Sequence, residues 1–366
     1  MGERLFASGS EAVGMGAVDS GCEAYFGYPL TPQNEIIEWM AREFPRMGKV
    51  FVQAPSEIGA INMVYGAAST GVRVMTSTSS PGWCLMMETF SDGINAELPF
   101  VVNQVARGGP GEGTTRHSQM DYMTATCGGG NGGCRNIALA PFSVQETYDF
   151  VQLAFYLADK YRSPLVILSE AIINQTREPL ERHVLDFGPL PEKDWAIKNK
   201  AFYKDGKSRR IEPGQGFARL PPFPNYLSFI SHLDKKLKAM AESEVRYETY
   251  SLDDAELILV AYGYVARVCL EALRIGRSRG MKVGLIRPIS IWPFPYHPIR
   301  EKALQGCKFL VVEDSLGQLI QDVKMGVEGH VEVHLLSMLA RHDPYEIGMI
   351  FPGSVLREIE KLMRRG

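Results

Sequence analysis

Residues 28–32 of the chain are YPLTP, and residues 53–82 are QAPSEIGAINMVYGAASTGVRVMTSTSSPG. Short apolar runs beside these stretches predict strands over residues 24–27, 50–53 and 73–78. A turn and a helix follow each strand, and this order is typical of a parallel sheet covered by helices. Because the carboxyl ends of parallel strands meet at one edge, we expect Thr31, Glu57 and the turn Ser80-Pro81-Gly82 to share a crevice. In the first turn, Thr31 fits a helix N-cap and Pro32 the first helical position.

The same alternation continues along the chain and predicts an α/β protein with a doubly wound parallel sheet. We place this domain at residues 1–180, an extended linker at 181–250 because of its charged and Pro/Gly-rich composition, and a smaller α/β domain at 251–366. Further strands are predicted over residues 99–106, 137–140, 164–169, 257–262, 282–286 and 309–313, and helices over 83–96, 144–162 and 265–279.

Composition excludes several classes of protein. The 366 residues are 45% apolar, which is ample for two buried cores, and the net charge of −3 argues against a nucleic-acid surface. No apolar run reaches the roughly 20 residues of a membrane span, and the N-terminus lacks the apolar segment of a signal peptide. Six cysteines in a chain of this length indicate reduced thiols and a cytoplasmic location.

The cysteine spacing predicts no metal or cluster site in this chain. Iron–sulfur ligands typically occur in tight C-x2-C-x2-C groups, whereas four of the six cysteines here are isolated. Cys127 and Cys134 enclose a glycine-rich loop that has no histidine and no third cysteine nearby.

Several short motifs occur in a fixed order along nearly the whole chain. They are YPLTP at 28–32, Ser56-Glu57, the Thr/Ser-rich strand ending at Gly82, RGGP at 107–110, SQMDY at 118–122, AYG at 261–263, LIRP at 285–288 and VED at 312–314. Together they resemble the alpha subunit of thiamine-diphosphate-dependent 2-oxoacid:ferredoxin oxidoreductases. Within that family, residues 193–195 and 241–248 are most similar to the branched-chain, or 2-oxoisovalerate, type.

The resemblance implies a pyrimidine-type thiamine-diphosphate-binding domain followed by a transketolase-C-terminal-like domain. It also implies that Glu57 is the glutamate that hydrogen-bonds the aminopyrimidine ring of the cofactor. Small and apolar neighbours of Glu57 suit a buried carboxylate, although an acid in the first turn of a helix commonly complements the helix dipole. The remaining cofactor contacts implied are Tyr28, Pro29, Ser80, Pro81 and Gly82.

Substrate contacts are implied for Thr31, Arg107, Gln119 and Tyr122. An arginine fork binds a planar carboxylate through two hydrogen bonds, which suits a 2-oxoacid, although an exposed arginine in a surface ion pair is equally common. Thr31 has a structural alternative as a helix cap. Arg116 and His117 lie in the same long loop and leave 2-oxoglutarate open as the substrate.

Two glycine runs, at residues 108–113 and 128–133, resemble phosphate-binding loops. Neither lies between the first strand and first helix of a βαβ unit, and Glu112 would repel a phosphate. We therefore expect both runs to be mobile loops beside the site, and we do not expect a dinucleotide-binding function.

The sequence contains no G-D-G motif of the kind that holds the diphosphate and Mg2+ of thiamine enzymes. The resemblance then implies a diphosphate-binding beta subunit, a gamma subunit and a ferredoxin-like subunit that carries [4Fe-4S] clusters, assembled as a dimer of hetero-oligomers. The implied reaction oxidatively decarboxylates a 2-oxoacid to acyl-CoA and CO2, with CoA as a substrate and ferredoxin as the electron acceptor. A non-oxidative thiamine-dependent decarboxylase subunit and a regulatory α/β protein remain as alternatives.

Overall fold

The computed structural model describes residues 3–127, 129–133, 135–197, 223, 225–337, 339 and 349–364. The strands are β1 (Glu3–Ser8), β2 (Cys22–Gly27), β3 (Val50–Gln53), β4 (Arg73–Ser79), β5 (Val101–Ala106), β6 (Ala138–Leu139), β7 (Leu165–Glu170), β8 (Arg177–Arg182), β9 (Tyr247–Tyr250), β10 (Leu257–Val260), β11 (Val283–Pro288), β12 (Ser290–Trp292), β13 (Lys308–Glu313) and β14 (Val333–Ser337). The helices are α1 (Gly9–Asp19), α2 (Asn34–Arg46), α3 (Glu57–Ser69), α4 (Ser80–Asn95), α5 (Tyr122–Thr126), α6 (Val144–Tyr161), α7 (Ala171–Gln175), α8 (Tyr226–Ser243), α9 (Gly263–Ser278), α10 (Tyr296–Leu304), α11 (Leu319–Val327) and α12 (Pro352–Arg364).

Seven of the described strands form the first sheet, in the order β12-β6-β7-β5-β4-β2-β3. All neighbours in it are parallel except β12, which pairs antiparallel with β6. Side chains alternate across the sheet: Val101 and Val105 of β5 join the core under α1, α2 and α6, and Val102 and Ala106 join the core under α3 and α4. Helices cover both faces, which confirms the predicted doubly wound α/β fold.

A second sheet has the order β14-β13-β10-β11-β9. It is parallel except for β9, which pairs antiparallel with β11. One face packs against α9 and α12, and the other contributes to the same core as α3 and α4 of the first domain. Strand β12 follows β11 closely in the chain yet extends the first sheet, so the two α/β units are joined by backbone hydrogen bonds as well as by packing.

The prediction of extended chain over residues 181–250 is wrong for the part that forms α8. Asn225 caps this helix by accepting a hydrogen bond from the backbone N–H of Ser228 at 2.9 Å, and Phe229, Leu233 and Met240 are buried. Their spacing makes one apolar face, which proline-rich and charged flanks conceal in the sequence. Residues 198–222 and 224, on which the linker prediction chiefly depended, lie outside the described residues. The domain boundaries stay a prediction.

The first turn also differs from its prediction. Helix α2 begins at Asn34 and not at Pro32, with Gln33 in the cap position. The Gln33 side chain donates to the Tyr28 carbonyl at 2.8 Å and accepts from the Ser77 hydroxyl at 2.5 Å. These two bonds hold residues 28–33 as a loop against β4, so Thr31 is not the helix cap.

Among the described residues, no helix combines the length and apolar character that crossing a bilayer requires. The cytoplasmic location stays a prediction.

Candidate functional site

The carboxyl ends of β2, β3, β4 and β5 lie along one edge of the first sheet because these strands are parallel. The loop 28–33 follows β2, the start of α3 follows β3, the start of α4 follows β4, and Arg107 follows β5. This edge therefore collects most of the residues that the sequence singles out, as expected for a site in an open α/β sheet.

Glu57 is the first residue of α3 and is buried, with 6% of its surface exposed. Ser56 caps the helix, with its hydroxyl accepting the Gly59 N–H at 3.1 Å, so this backbone amide does not need the Glu57 side chain. Within the described residues the Glu57 carboxylate has no hydrogen-bond or ion-pair partner. A buried carboxylate left in this way is costly unless a ligand or another chain completes it.

Gly82, in the first turn of α4, lies directly against Glu57. A Cβ atom at this position would lie 2.7 Å from Glu57 Oε1 and 2.3 Å from Thr78 Oγ1, closer than real Cβ atoms approach. The absence of a side chain thus leaves the space that the carboxylate occupies. The turn Ser80-Pro81-Gly82 and Glu57 are in contact, as the sequence predicts.

Arg107 is buried at the end of β5, with 6% of its side chain exposed. Its guanidinium Nη1 donates to the Thr31 carbonyl at 2.7 Å, and Nη2 donates to the Glu112 carbonyl at 2.8 Å. Nη2 also pairs with the Glu112 carboxylate at 3.1 Å, while the buried Nε has no partner within the described residues. Arg107 is therefore not an exposed arginine in a surface pair.

Thr31 is exposed beside Arg107, and its hydroxyl accepts a hydrogen bond from the Asn34 side-chain amide at 3.2 Å. Tyr28 is half-buried and Pro29 is exposed in the same loop. Thr31 and Arg107 are thus brought together, whereas Tyr28 and Pro29 share with Glu57 only the same edge of the sheet.

Asp121 is a buried residue of this region that our sequence reasoning quoted only as part of a motif. Ser80 Oγ donates to the Asp121 carboxylate and accepts the Arg107 backbone N–H at 3.0 Å. Burial raises the pKa of Asp121 to about 6, against the lowering effect of the Ser80 hydrogen bond. Asp121 and Ser80 together fix the start of α4 relative to Arg107. In the sequence, the only indication of this role is that Asp121 belongs to the SQMDY motif.

Gln119 and Tyr122 form hydrogen bonds at the junction between the two domains. Gln119 Nε2 donates to Glu170 at 2.7 Å and to the Tyr262 carbonyl at 3.0 Å, and Gln119 Oε1 accepts the Asp314 N–H at 2.9 Å. The Tyr122 hydroxyl donates to Asp322 at 2.7 Å. These contacts fasten the domains together, and a substrate-lining role for either residue stays a prediction.

Glu170, at the end of β7, is a second buried glutamate, and it is one that the sequence did not single out. Only 1% of it is exposed, and it accepts from Gln119 Nε2 at 2.7 Å and from the Tyr264 backbone N–H at 2.6 Å. Burial raises its pKa to about 8, although both hydrogen bonds act in the opposite direction.

The long loop after β5 contains the other residues considered in the sequence. Residues 108–113 form a short hairpin, and Arg116 is exposed, while His117 Nδ1 pairs with Asp314 at 3.0 Å. Cys127 is free and exposed, and Gly128 and Cys134 lie outside the described residues. In the part of the chain that the structure describes, no three His, Cys, Asp or Glu side chains are grouped to hold a metal ion.

An apolar groove of about 480 Å³ lies elsewhere, lined by residues of α6 and the 185–187 segment together with Val245, Tyr247 and Ile289. It contains none of the predicted site residues. The candidate site is therefore identified by its chemistry and by its place on the sheet.

Comparison with known proteins agrees with this placement. Residues 15–246 match the family model described as pyruvate flavodoxin/ferredoxin oxidoreductase, thiamine diP-bdg, and residues 255–350 match pyruvate:ferredoxin oxidoreductase core domain II. The chain is 45% identical over 331 residues to ketoisovalerate oxidoreductase subunit VorB of Methanothermobacter marburgensis, covering 90% of this chain and 92% of that protein. It is 36% identical to 2-oxoglutarate synthase subunit KorA of the same organism, covering 95% of this chain and 98% of that protein.

Among solved structures, 2-oxoglutarate:ferredoxin oxidoreductase from Magnetococcus marinus, with 2-oxoglutarate, coenzyme A and succinyl-CoA bound, superimposes with a TM-score of 0.77 at 24% identity. That match covers 98% of this chain, which spans 65% of the solved chain. A split-gene transketolase matches at a TM-score of 0.58 and 11% identity, covering 97% of this chain and 96% of that one. These two likenesses show the fold. The matched family model and the 45% identical relative show that this chain belongs to the thiamine-diphosphate-dependent 2-oxoacid:ferredoxin oxidoreductases, as an alpha subunit.

Proposed function

We propose that this chain supplies the aminopyrimidine-binding half of a thiamine diphosphate site, and that the assembled enzyme oxidatively decarboxylates a branched-chain 2-oxoacid. The observation that carries the proposal is the buried Glu57 carboxylate, which has no partner among the described residues and lies against Gly82. The proposed products are acyl-CoA and CO2, with the electrons passed to ferredoxin.

Glu57 fits the cofactor through the chemistry of its carboxylate. Thiamine diphosphate, when bound, supplies a carbon nucleophile that its own aminopyrimidine ring must activate. A carboxylate that accepts a hydrogen bond from ring nitrogen N1′ favours the activating tautomer, and such a bond is stronger in a buried site than in water. Glu57 has both the burial and the unused acceptor capacity for this role. Tyr28, Pro29 and the turn Ser80-Pro81-Gly82 would border the same ring.

Arg107 would bind the carboxylate of the 2-oxoacid. Its guanidinium is buried, so a bound carboxylate would be recognised with little competition from water. Thr31, whose carbonyl accepts a hydrogen bond from Arg107, is exposed, and its hydroxyl would contact the oxo group or the carboxylate of the substrate.

The preference for a branched-chain acid is supported by the relative that is 45% identical, which is named for ketoisovalerate. A 2-oxoglutarate activity is the second candidate, because the relative at 36% identity is a 2-oxoglutarate synthase subunit. Of the two basic residues that favoured an acidic substrate, His117 is paired with Asp314, and Arg116 is exposed. Neither contacts Arg107, so the branched-chain substrate is the better supported.

Partner chains would supply the remainder of the site. The sequence has no G-D-G motif for the diphosphate and Mg2+, so these would be held by a beta subunit, and [4Fe-4S] clusters would lie on a ferredoxin-like subunit. Three exposed apolar side chains, Ile58, Met63 and Leu85, lie on the helices that hold Glu57 and Gly82. Exposed apolar surface beside an incomplete binding site is typical of a protein–protein interface. We infer that the beta subunit covers this face, within a dimer of hetero-oligomers that includes a gamma subunit.

Calorimetric titration of thiamine diphosphate with Mg2+ tests this proposal. The chain expressed alone is expected to bind the cofactor weakly, because only the ring end has a site. The same chain co-expressed with a G-D-G-containing partner is expected to bind it at micromolar concentration or tighter, and to reduce ferredoxin once a cluster-bearing chain is added. Stoichiometric binding and 2-oxoacid oxidation by the isolated chain would contradict the split site.

A further inference from the structure

Arg107 has a carboxylate on its fork before any substrate is considered. Its Nη2 contacts both the main-chain carbonyl of Glu112, at 2.8 Å, and the Glu112 carboxylate, at 3.1 Å. The guanidinium is nearly buried, whereas 90% of the Glu112 side chain is exposed. The exposed Glu112 carboxylate therefore contacts the buried Arg107 guanidinium. It occupies the position that a small carboxylate ligand would take.

A tight hairpin places Glu112 beside the Arg107 guanidinium. Gly108 and Thr114 are bridged, with the Thr114 N–H donating to the Gly108 carbonyl at 2.7 Å. Gly113 has a φ of +54°, and a Cβ atom there would lie 1.6 Å from the Gly108 carbonyl oxygen. Only glycine closes the loop in this way. The hairpin, together with the bond from Arg107 to the Glu112 carbonyl, fixes the Cα of Glu112 next to the guanidinium.

The ion pair between Arg107 and Glu112 allows the Glu112 carboxylate to be replaced by another carboxylate. Because the Glu112 carboxylate is in solvent, its attraction to Arg107 is weak, and another carboxylate can replace it. Asp121 also lies close to Arg107, but its carboxylate accepts the Ser80 hydroxyl and is buried, so it does not compete for the fork. After exchange, the fixed main chain keeps the displaced Glu112 charge within a side-chain length of Arg107, well inside the Debye length of about 8–10 Å.

We propose that Glu112 is a substrate-selecting residue: its carboxylate occupies Arg107 until a 2-oxoacid displaces it, and then disfavours substrates that carry a second negative charge. This inference rests on the proposed role of Arg107 in binding the 2-oxoacid. A monoanionic branched-chain acid has only to displace the Glu112 carboxylate from Arg107. A dianionic acid such as 2-oxoglutarate must also approach the displaced carboxylate.

The test uses the assembled enzyme and two ligands, 2-oxoisovalerate as the substrate and 2-oxoglutarate as a competitor. Glu112→Gln keeps the main-chain carbonyl on Arg107 and removes the charge. We expect the KM for 2-oxoisovalerate to fall with kcat preserved, and the inhibition constant of 2-oxoglutarate to fall further. The ratio of the two constants should shift toward 2-oxoglutarate by about fivefold, the effect of one exposed charge pair. Glu332→Gln, which removes an exposed acid from the second domain, should leave the ratio unchanged.

An unchanged ratio in Glu112→Gln overturns the proposal, whatever the individual constants do. Arg107→Lys, measured in parallel, separates this failure from failure of the proposed function. If Arg107→Lys weakens 2-oxoisovalerate binding while Glu112→Gln leaves the ratio unchanged, only the selecting role of Glu112 is wrong. If Arg107→Lys leaves the KM for 2-oxoisovalerate unchanged, Arg107 does not bind the substrate and the Glu112 proposal fails with it.

Discussion

Glu57 and Glu170 are two of the glutamates that are buried among the described residues, and their surroundings differ in one decisive respect. Glu170 accepts two hydrogen bonds from its own chain, one from Gln119 at 2.7 Å and one from the Tyr264 N–H at 2.6 Å. Glu57 lies at the open edge of the first sheet and has no partner among the described residues. Both residues are buried, but among the described residues only Glu170 is hydrogen-bonded by its own chain.

Under the proposed function, this difference distinguishes an acid that stabilises the fold from an acid that is left for the cofactor. Burying a carboxylate is unfavourable unless hydrogen bonds or charges compensate it, and at Glu170 two hydrogen bonds at the domain junction offset part of that cost. At Glu57 the chain provides none that the structure describes, so the acceptor capacity is left for something outside the chain. Burial raises the pKa of Glu170 to about 8, and a perturbed pKa alone would mark Glu170 as a site candidate although its partners belong to its own chain. The lack of a hydrogen-bond partner for Glu57 among the described residues is the better guide to a binding site here.

The largest expected effect is that of Glu57→Gln in the assembled enzyme. Glutamine keeps the shape of the side chain but cannot stabilise a protonated ring nitrogen, so turnover should fall by about 10²-fold or more, the scale of losing an acid–base group. Steady-state 2-oxoacid oxidation measures it, and thermal unfolding provides the control. The melting temperature should stay near that of the parent protein because Glu57 holds no other described residue in place. A large loss of stability would mean that Glu57 is structural, like Glu170.

Arg107→Lys should affect the substrate next most strongly. A point charge replaces a fork, and 2-oxoacid binding should weaken by about 1.5–3 kcal/mol, the scale of a charged hydrogen bond. The KM for the 2-oxoacid should rise accordingly, while the KM for CoA should stay unchanged. Equal increases in both constants would indicate that Arg107 supports the general structure of the crevice.

Gly82→Ala should disturb Glu57 without changing its chemistry. The new methyl group would lie 2.7 Å from Glu57 Oε1 and 2.3 Å from Thr78 Oγ1, so the carboxylate must shift. Small misplacements of catalytic groups reduce turnover markedly, and we expect a loss of about tenfold. Gly66→Ala on the same pair of helices is the matched control, since a Cβ atom there meets nothing within 4 Å. Equal activity of the two variants would show that Glu57 does not need its present position.

Glu170→Gln should act on stability through pH. The folded-state pKa of Glu170 is raised to about 8, so between the unfolded-state value near 4.5 and pH 8 the folded protein binds the extra proton. The stabilisation from this proton is complete below about pH 4.5 and is lost as the pH rises through 8. The difference in unfolding free energy between parent and variant should therefore change across this window. Denaturant unfolding at several pH values measures it, and a pH-independent difference would show that Glu170 does not titrate there.

The sequence was sufficient for the sheet and for the place of Glu57 at the start of α3, because both depend on local order, while the role of Glu57 stays a prediction. Each strand, turn and helix is formed by consecutive residues, and Ser56 before Glu57 marks the start of α3. Glu170 could not be found in this way, since its partners are 51 and 94 residues away in the chain. Its environment exists only after the two domains have packed.

Two other differences have the same origin. Thr31 and Pro32 have the local character of a helix start, but Gln33 binds the hydroxyl of Ser77, which is 44 residues away, and the loop continues to Asn34. Gln119 was chosen as a substrate contact because of its motif, whereas its amide joins Glu170 to Asp314 across the domain junction. Local patterns predict elements and edges, and long-range hydrogen bonds decide which polar residues remain available to a ligand.

The rate at which the C2 proton of bound thiamine diphosphate exchanges with deuterium tests the role of Glu57 most directly. It reports activation of the cofactor without requiring the 2-oxoacid, CoA or ferredoxin, so defects in their sites do not affect it. In the assembled complex, Glu57→Gln should slow this exchange by about 10²-fold or more, while Glu170→Gln should leave it near the parent rate. Near-normal exchange in Glu57→Gln would contradict the account, because the unpartnered carboxylate would then have no part in activating the cofactor.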